Sequence, residues 1–129
     1  INKYENKKII FKETDKIIFT GRKNLIRRSL NNFIDNSIKY GENIYINLKK
    51  NSNNITINIE DDGPGIPLRE HENVFKPFYK IDKSRGDSKS SVGLGMSIAS
   101  DIIQSHGGNI KLDKSSLLGG LKVKIFLPL

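Results

Sequence analysis

Apolar residues recur at intervals of three and four between residues 22 and 40, at Ile26, Leu30, Phe33, Ile34 and Ile38. That spacing draws one broad apolar stripe down a helix, which Tyr40-Gly41 ends. The period then changes to two. Ile44, Ile46 and Leu48 alternate with polar residues, and so do Ile55, Ile57 and Ile59, so each run predicts a strand with one buried face. Asn51-Ser52-Asn53-Asn54 between them predicts a hairpin turn. A second helix is predicted from Gly93-Leu94-Gly95 to about residue 106, with Met96, Ile98, Ala99, Ile102 and Ile103 on its inner side and His106-Gly107-Gly108 as its stop. Two last strands, about 109–113 and 121–127, flank Ser115-Ser116-Leu117-Leu118-Gly119-Gly120.

Shorter signals complete the pattern. Ile9-Ile10-Phe11 and Ile17-Ile18-Phe19 predict two short strands, and Thr20 is placed to cap the helix that follows. Pro67 suits the first position of a short helix over 67–75, which Phe75-Lys76-Pro77-Phe78 breaks. Residues 79–92 are rich in Lys, Ser, Asp and Gly and read as a long loop of the kind that carries function or disorder. Residues 1–7 are polar and read as the remnant of a linker, with one domain over 8–129. Strands clustered around long helices predict an α+β fold, a two-layer α/β sandwich whose mixed, mostly antiparallel sheet packs on about three helices.

Composition narrows the function classes. The chain has no cysteine, hence no disulfide framework and no thiolate nucleophile or metal ligand. No apolar run approaches the roughly 18 residues of a membrane span, and no signal peptide is visible. The first residue is Ile rather than Met, so the sequence is read as a piece of a longer protein. The net charge of +8 invites an anionic partner, but the basic residues are scattered without interleaved aromatics, which argues against nucleic acid.

Three groups of residues carry candidate chemistry. Asn32 and Asn36 stand one turn apart beside the apolar stripe, followed by Lys39 and Tyr40. An amide oxygen suits a hard cation such as Mg²⁺, a lysine suits phosphate, and an aromatic ring suits a base or sugar. Taken alone the group also fits a polar surface. In the second group, the strand 55–59 runs into Asp61-Asp62-Gly63-Pro64-Gly65-Ile66. A carboxylate fixed there can accept a hydrogen bond from the exocyclic amine of adenine, Gly63 and Gly65 allow close approach, and Ile66 offers an apolar wall. A hairpin turn with solvated acids has the same pattern. In the third, Ser91-Val92-Gly93-Leu94-Gly95-Met96 opens a helix, where exposed amides and the helix dipole favour phosphate. The order of the three suggests a single nucleotide site.

The chain resembles the catalytic ATP-binding domain of bacterial sensor histidine kinases, in the ATPase superfamily with gyrase, Hsp90 and MutL, and is most similar to the osmosensor type. Asn32 to Tyr40 resembles the family's N box, and Asp61-Asp62-Gly63-Pro64-Gly65 its first glycine box. Phe75-Lys76-Pro77-Phe78-Tyr79-Lys80 resembles the F box, residues 79–92 the ATP lid, and Gly93-Leu94-Gly95-Met96 the core of the second glycine box. The resemblance implies the Bergerat fold. It also implies that Asn36 ligates Mg²⁺, that Asn32 and Lys39 meet the phosphates, and that Tyr40 and Ile66 flank the adenine whose amine Asp61 binds. The amides of Gly93, Leu94 and Gly95 would hold the phosphate chain, and Phe78, Lys80, Arg85 and Met96 complete the expected ATP contacts. Three positions depart from the pattern. Ser91-Val92 replaces the usual Gly-Thr, Lys80 stands where Arg is common, and Lys122 falls about where Ser or Thr often supports the adenine.

The implied activity is transfer of the γ-phosphoryl of Mg-ATP to a histidine on a separate dimerisation and acceptor domain, within two-component signalling. Hydrolysing relatives carry a glutamate one turn before the metal asparagine; here that position is Asn32, which cannot act as a base. An ATPase of the same fold, an anti-sigma-type serine kinase and a degenerate nucleotide-binding scaffold are the rival readings. Neither His71 nor His106 sits in the acidic context of a phosphoacceptor, so the acceptor is expected before residue 1, and this piece alone is not expected to autophosphorylate. The expected parent is a membrane-anchored homodimer with this domain in the cytoplasm, acting on a response regulator.

Overall fold

A computed structural model of the chain describes residues 8–13, 21–76 and 95–129. Five strands form one sheet: β1 (Lys8–Glu13), β2 (Asn43–Lys50), β3 (Asn54–Asp61), β4 (Asn109–Lys114) and β5 (Leu121–Pro128). Their order is β1-β2-β3-β5-β4. β1 runs parallel to β2, and every other pairing is antiparallel. A parallel neighbour needs a crossover, and the helix α1 (Lys23–Tyr40) lies in the one between β1 and β2. The sheet is therefore mixed and mostly antiparallel, as the alternating runs predict. The strand expected at Ile17-Ile18-Phe19 lies outside the described residues.

One face of the sheet is covered by α1 and α2 (Gly95–Ser105), and the core sits between them. In β3 the inward positions are Ile55, Ile57 and Ile59, all buried, and in β5 they are Leu121, Val123, Ile125 and Leu127. Phe33 and Ile38 of α1 and Ala99 and Ile103 of α2 close over them. Each such side chain contributes roughly 1.5–3 kcal/mol of burial, less for alanine. The helices are pinned to each other by buried Ser29, whose hydroxyl donates to the Ala99 carbonyl at 2.9 Å. The opposite face is polar; there Tyr45, Glu60, Lys122 and Asp113 lie side by side in register across four strands.

Two local expectations change. The stretch 67–75 is not one helix but two 3₁₀ turns, Leu68–Glu70 and Asn73–Phe75. Of the residues in these turns only Val74 is buried, too little apolar surface to hold a longer helix between Pro67 and Pro77. The N-cap of α1 is Arg22, which offers no side-chain cap, rather than Thr20. The Arg22 amide instead donates to Nε2 of His106 at 3.1 Å, while Nδ1 of that ring lies 2.8 Å from the Ile102 carbonyl. His106 is thus a structural link between the end of α2 and the start of α1. His71 is also engaged, with Nε2 2.8 Å from the Ile66 carbonyl. Among the described residues no helix is long and apolar enough to cross a membrane.

Candidate functional site

The alternation that places Ile55, Ile57 and Ile59 inward carries on to Asp61, so a carboxylate occupies the next core position of β3. It is 2% exposed. Three glycines let backbone close on it from different directions. A Cβ at Gly41, just past α1, would stand 2.9 Å from the Asp61 Cβ, and one at Gly63 would stand 2.8 Å from the Tyr40 carbonyl oxygen. A Cβ at Gly120, in the β4–β5 loop, would stand 2.5 Å from Asp61 Oδ1 and 2.7 Å from the Gly63 nitrogen. The last turn of α1, the β3 end and the β4–β5 loop therefore meet with no side chain between them.

Hydrogen bonds fix the meeting point. The Gly63 and Leu121 amides donate to Asp61 Oδ1 at 2.9 and 3.2 Å, and the Gly120 amide donates to the Asp61 carbonyl at 3.0 Å. Burial pushes the Asp61 pKa up from the ordinary carboxylate value; the Gly63 and Leu121 amides and the Ser37 hydroxyl pull it back. Such a group favours a ligand that brings an N–H donor. Its neighbour Asp62 has another task. Oδ1 accepts from the Glu42 and Asn43 amides at 2.8 and 3.1 Å and Oδ2 from Asn43 Nδ2 at 2.7 Å. Bonds from Asn43 and then Glu42 hold its pKa below the ordinary value. Asp62 is a clip joining the end of β3 to the start of β2, not merely a solvated neighbour.

Asn32 and Asn36 are half-buried on α1. Asn32 Nδ2 donates to the Gly95 carbonyl at 3.3 Å, tying α1 to the opening of α2. Asn36, one turn on, makes no side-chain hydrogen bond to the described residues. Lys39 is exposed, with its ammonium 5.3 Å from the Tyr40 ring centroid. Ile66 and Met96 are partly buried against the core. Gly65 takes φ +74, a conformation that favours glycine, and lies beside Gly120. Gly95 is the first residue of α2 and faces open space. Phe78, Lys80, Arg85, Gly93 and Leu94, with Ser91 and Val92, lie outside the described residues.

The donor set fits a nucleotide with a divalent ion. Among the described residues no group of three or more His, Cys, Asp and Glu could hold a metal. An ion here would rest on an amide oxygen and on oxygens the ligand supplies, the habit of Mg²⁺. Ser37, Gly41, Gly120 and Leu121 belong to the site but carry no local signal, because their role is set by segments far away in the chain. Lys122, placed by sequence near the adenine, sits on the polar face opposite Glu60, turned away from Asp61.

The chain is similar to known proteins over most of its length. Residues 21–129 match the family described as histidine kinase-, DNA gyrase B-, and HSP90-like ATPase. The sensor histidine kinase CpxA of Escherichia coli K12 is 36% identical over 110 residues, taking in 84% of this chain and 24% of CpxA. The signal transduction histidine-protein kinase ArlS of Staphylococcus aureus USA300 is 47% identical over 97 residues, 72% of this chain and 21% of ArlS. The chain thus spans about a quarter of the length of these relatives. The crystal structure of the ATP binding domain of PrrB from Mycobacterium tuberculosis superposes with a TM-score of 0.79 at 25% identity, covering 97% of this chain and 82% of that one. With its mixed sheet, its two covering helices and the family match over most of its length, the chain belongs to the histidine kinase-, DNA gyrase B- and HSP90-like ATPase family.

Proposed function

We propose that residues 8–129 are the catalytic domain of a sensor histidine kinase, with 1–7 a linker remnant. The domain binds Mg-ATP and donates the γ-phosphoryl group to a histidine on a separate dimerisation and acceptor domain of the same full-length protein. The single observation that carries this reading is Asp61. It is a carboxylate held at 2% exposure, whose fixed oxygen is bonded to two backbone amides while the other remains for a ligand donor. Asp61 reads the adenine amine, Tyr40 and Ile66 flank the ring, and Asn32, Lys39 and the amides from Gly93 to Gly95 meet the phosphates, with Phe78, Lys80, Arg85 and Met96 completing the contacts. Asn36 would hold Mg²⁺, which when bound would supply neutralisation of the phosphate charge.

Asn32 supports a kinase over a hydrolase. Its amide is engaged with Gly95 and has no basic function to activate water. An imidazole from the acceptor domain is already a nucleophile and needs no such help. The parent is a membrane-anchored homodimer that passes the phosphoryl group to a response regulator, with this domain in the cytoplasm. Calorimetric titration with a non-hydrolysable ATP analogue, with and without Mg²⁺, tests the site, and absence of binding sinks the proposal. Asn36→Ala abolishes the Mg²⁺-dependent part of that binding; unchanged Mg²⁺ dependence would show that the ion rests elsewhere. The fragment acquires no stable radiolabel from γ-labelled ATP until the acceptor domain is added.

A further inference from the structure

The two oxygens of the Asp61 carboxylate are used unequally. Both amide donors, Gly63 and Leu121, fall on Oδ1. Oδ2 accepts no hydrogen bond from the described residues. Beside the carboxylate stands Ser37 of α1, at 0% exposure, whose hydroxyl has no hydrogen-bond partner among the described residues. It lowers the Asp61 pKa from where it stands, yet closes no bond with the carboxylate.

That hydroxyl is out of line with its surroundings. A serine inside a helix has a ready acceptor in the carbonyl one turn back, and Ser37 does not use it. Other buried serines are satisfied. Ser29 donates to the Ala99 carbonyl, and Ser115 donates to Glu60 Oε1 at 2.8 Å while accepting the Leu118 amide at 2.9 Å. Buried polar groups in folded proteins are nearly always paired, so an isolated one marks a site of unfinished bonding. Ser37 acts on the Asp61 carboxyl, whose Oδ2 accepts no bond among the described residues and is an acceptor with two lone pairs. One can take a ligand N–H, and the other a hydroxyl from the α1 side.

We propose that Ser37 is a positioning and base-discriminating residue. Its hydroxyl donates to the Asp61 carboxylate as Oδ2 takes the exocyclic amine of adenine, and so holds the carboxyl plane and its acceptor character. This rests on the reading of the site as an adenine nucleotide site. Guanine presents a carbonyl oxygen where adenine presents the amine, so an acceptor-only Asp61 rejects it. Burial pushes Asp61 toward the protonated form, which could donate to that carbonyl; a hydroxyl donating to the carboxylate opposes the change.

The test is calorimetric titration of the chain and its Ser37→Ala and Ser37→Cys variants. The probes are ADP, purine riboside diphosphate (ADP without the 6-amino group) and GDP, all with Mg²⁺. The wild type binds ADP more tightly than purine riboside diphosphate; equal binding overturns the adenine reading, and this inference with it. Ser37→Ala weakens ADP roughly 3- to 10-fold, shifts purine riboside diphosphate by no more than about twofold, and narrows the preference for ADP over GDP. Ser37→Cys, a weaker donor of similar size, falls between. The thermal midpoint of Ser37→Ala without nucleotide stays level or rises, since an unpaired buried hydroxyl is removed. Equal losses for ADP and purine riboside diphosphate, or a lowered midpoint with no change in base preference, would make Ser37 a packing residue and overturn the inference.

Discussion

Gly119 and Gly120 are adjacent in one loop, yet they answer to different physics. A Cβ at Gly120 would press into the Asp61 carbonyl, stand 2.5 Å from Asp61 Oδ1 and 2.7 Å from the Gly63 nitrogen. None of these is a flexible side-chain end, so Gly120→Ala must displace backbone. Overpacking of this kind costs about 1–3 kcal/mol. Relief by moving the loop lengthens the Gly120 amide bond to the Asp61 carbonyl and the Leu121 amide bond to Oδ1. The first is worth about 1 kcal/mol, and the second, to a charged group, about 1.5–3 kcal/mol. Because loop movement trades the clash for the bonds, the net cost is about 2–4 kcal/mol, a midpoint drop of roughly 10 °C. The displaced carboxylate weakens adenine nucleotide binding at least about tenfold. Gly119→Ala meets nothing within 4 Å but must adopt φ +89. It costs roughly 1–2 kcal/mol of stability and leaves affinity unchanged. Thermal denaturation and calorimetry on both variants decide the matter. If Gly120→Ala binds like the wild type, or both variants lose affinity equally, the description of the loop as the wall that fixes Asp61 is wrong.

Other outcomes follow from the two neighbouring carboxylates. The folded-state pKa of Asp61 is raised, so the fold loses stability as pH rises from the unfolded carboxylate value through the folded one, and above that carries a constant penalty. Asp61→Asn therefore raises the thermal midpoint at neutral pH, a gain that disappears in acid, while weakening adenine nucleotide binding by about 10- to 100-fold. A midpoint lower than wild type at pH 7 would contradict this. Asp62 is the opposite case. Its lowered pKa means that its stabilisation is present above the unfolded value and is lost as pH falls through the folded one. Asp62→Ala costs about 1 kcal/mol at pH 7 and almost nothing in acid, with nucleotide affinity intact; an affinity loss matching that of Asp61→Asn would place Asp62 in the site.

Much of the fold is legible because it rests on periodicity. The spacing of Ile26, Leu30, Phe33 and Ile38 specifies α1, and the period-two runs specify β2 and β3, whatever the rest of the chain does. Asp61 is readable for the same reason, as the next inward position after Ile59. The stretch after Pro67 is not, since its length lies at the margin where a helix needs tertiary packing, and only Val74 finds any. Apart from Gly63, the hydrogen-bonding supports around the two carboxylates escape sequence reading. Gly119-Gly120 looks like any loop, and Asp62 like any surface acid. Their partners are reached only when the sheet brings β5 beside β3 and folds β2 back along it.

The three-way closure around Asp61 has a consequence for how the domain folds. Its bonds span long stretches of sequence: 20 residues from Asp62 to Glu42 and 60 from Asp61 to Leu121. The first closes the open end of the β2–β3 hairpin, but no hairpin or single helix contains the second. Contacts of such separation form late and cooperatively, after the loop-closure entropy of the intervening chain has been lost. Nucleotide affinity then becomes a reporter of global folding rather than of local order. A ligand at this point recruits α1, β3 and β5 together, and by mass action it stabilises the whole domain by RT ln(1 + [L]/Kd).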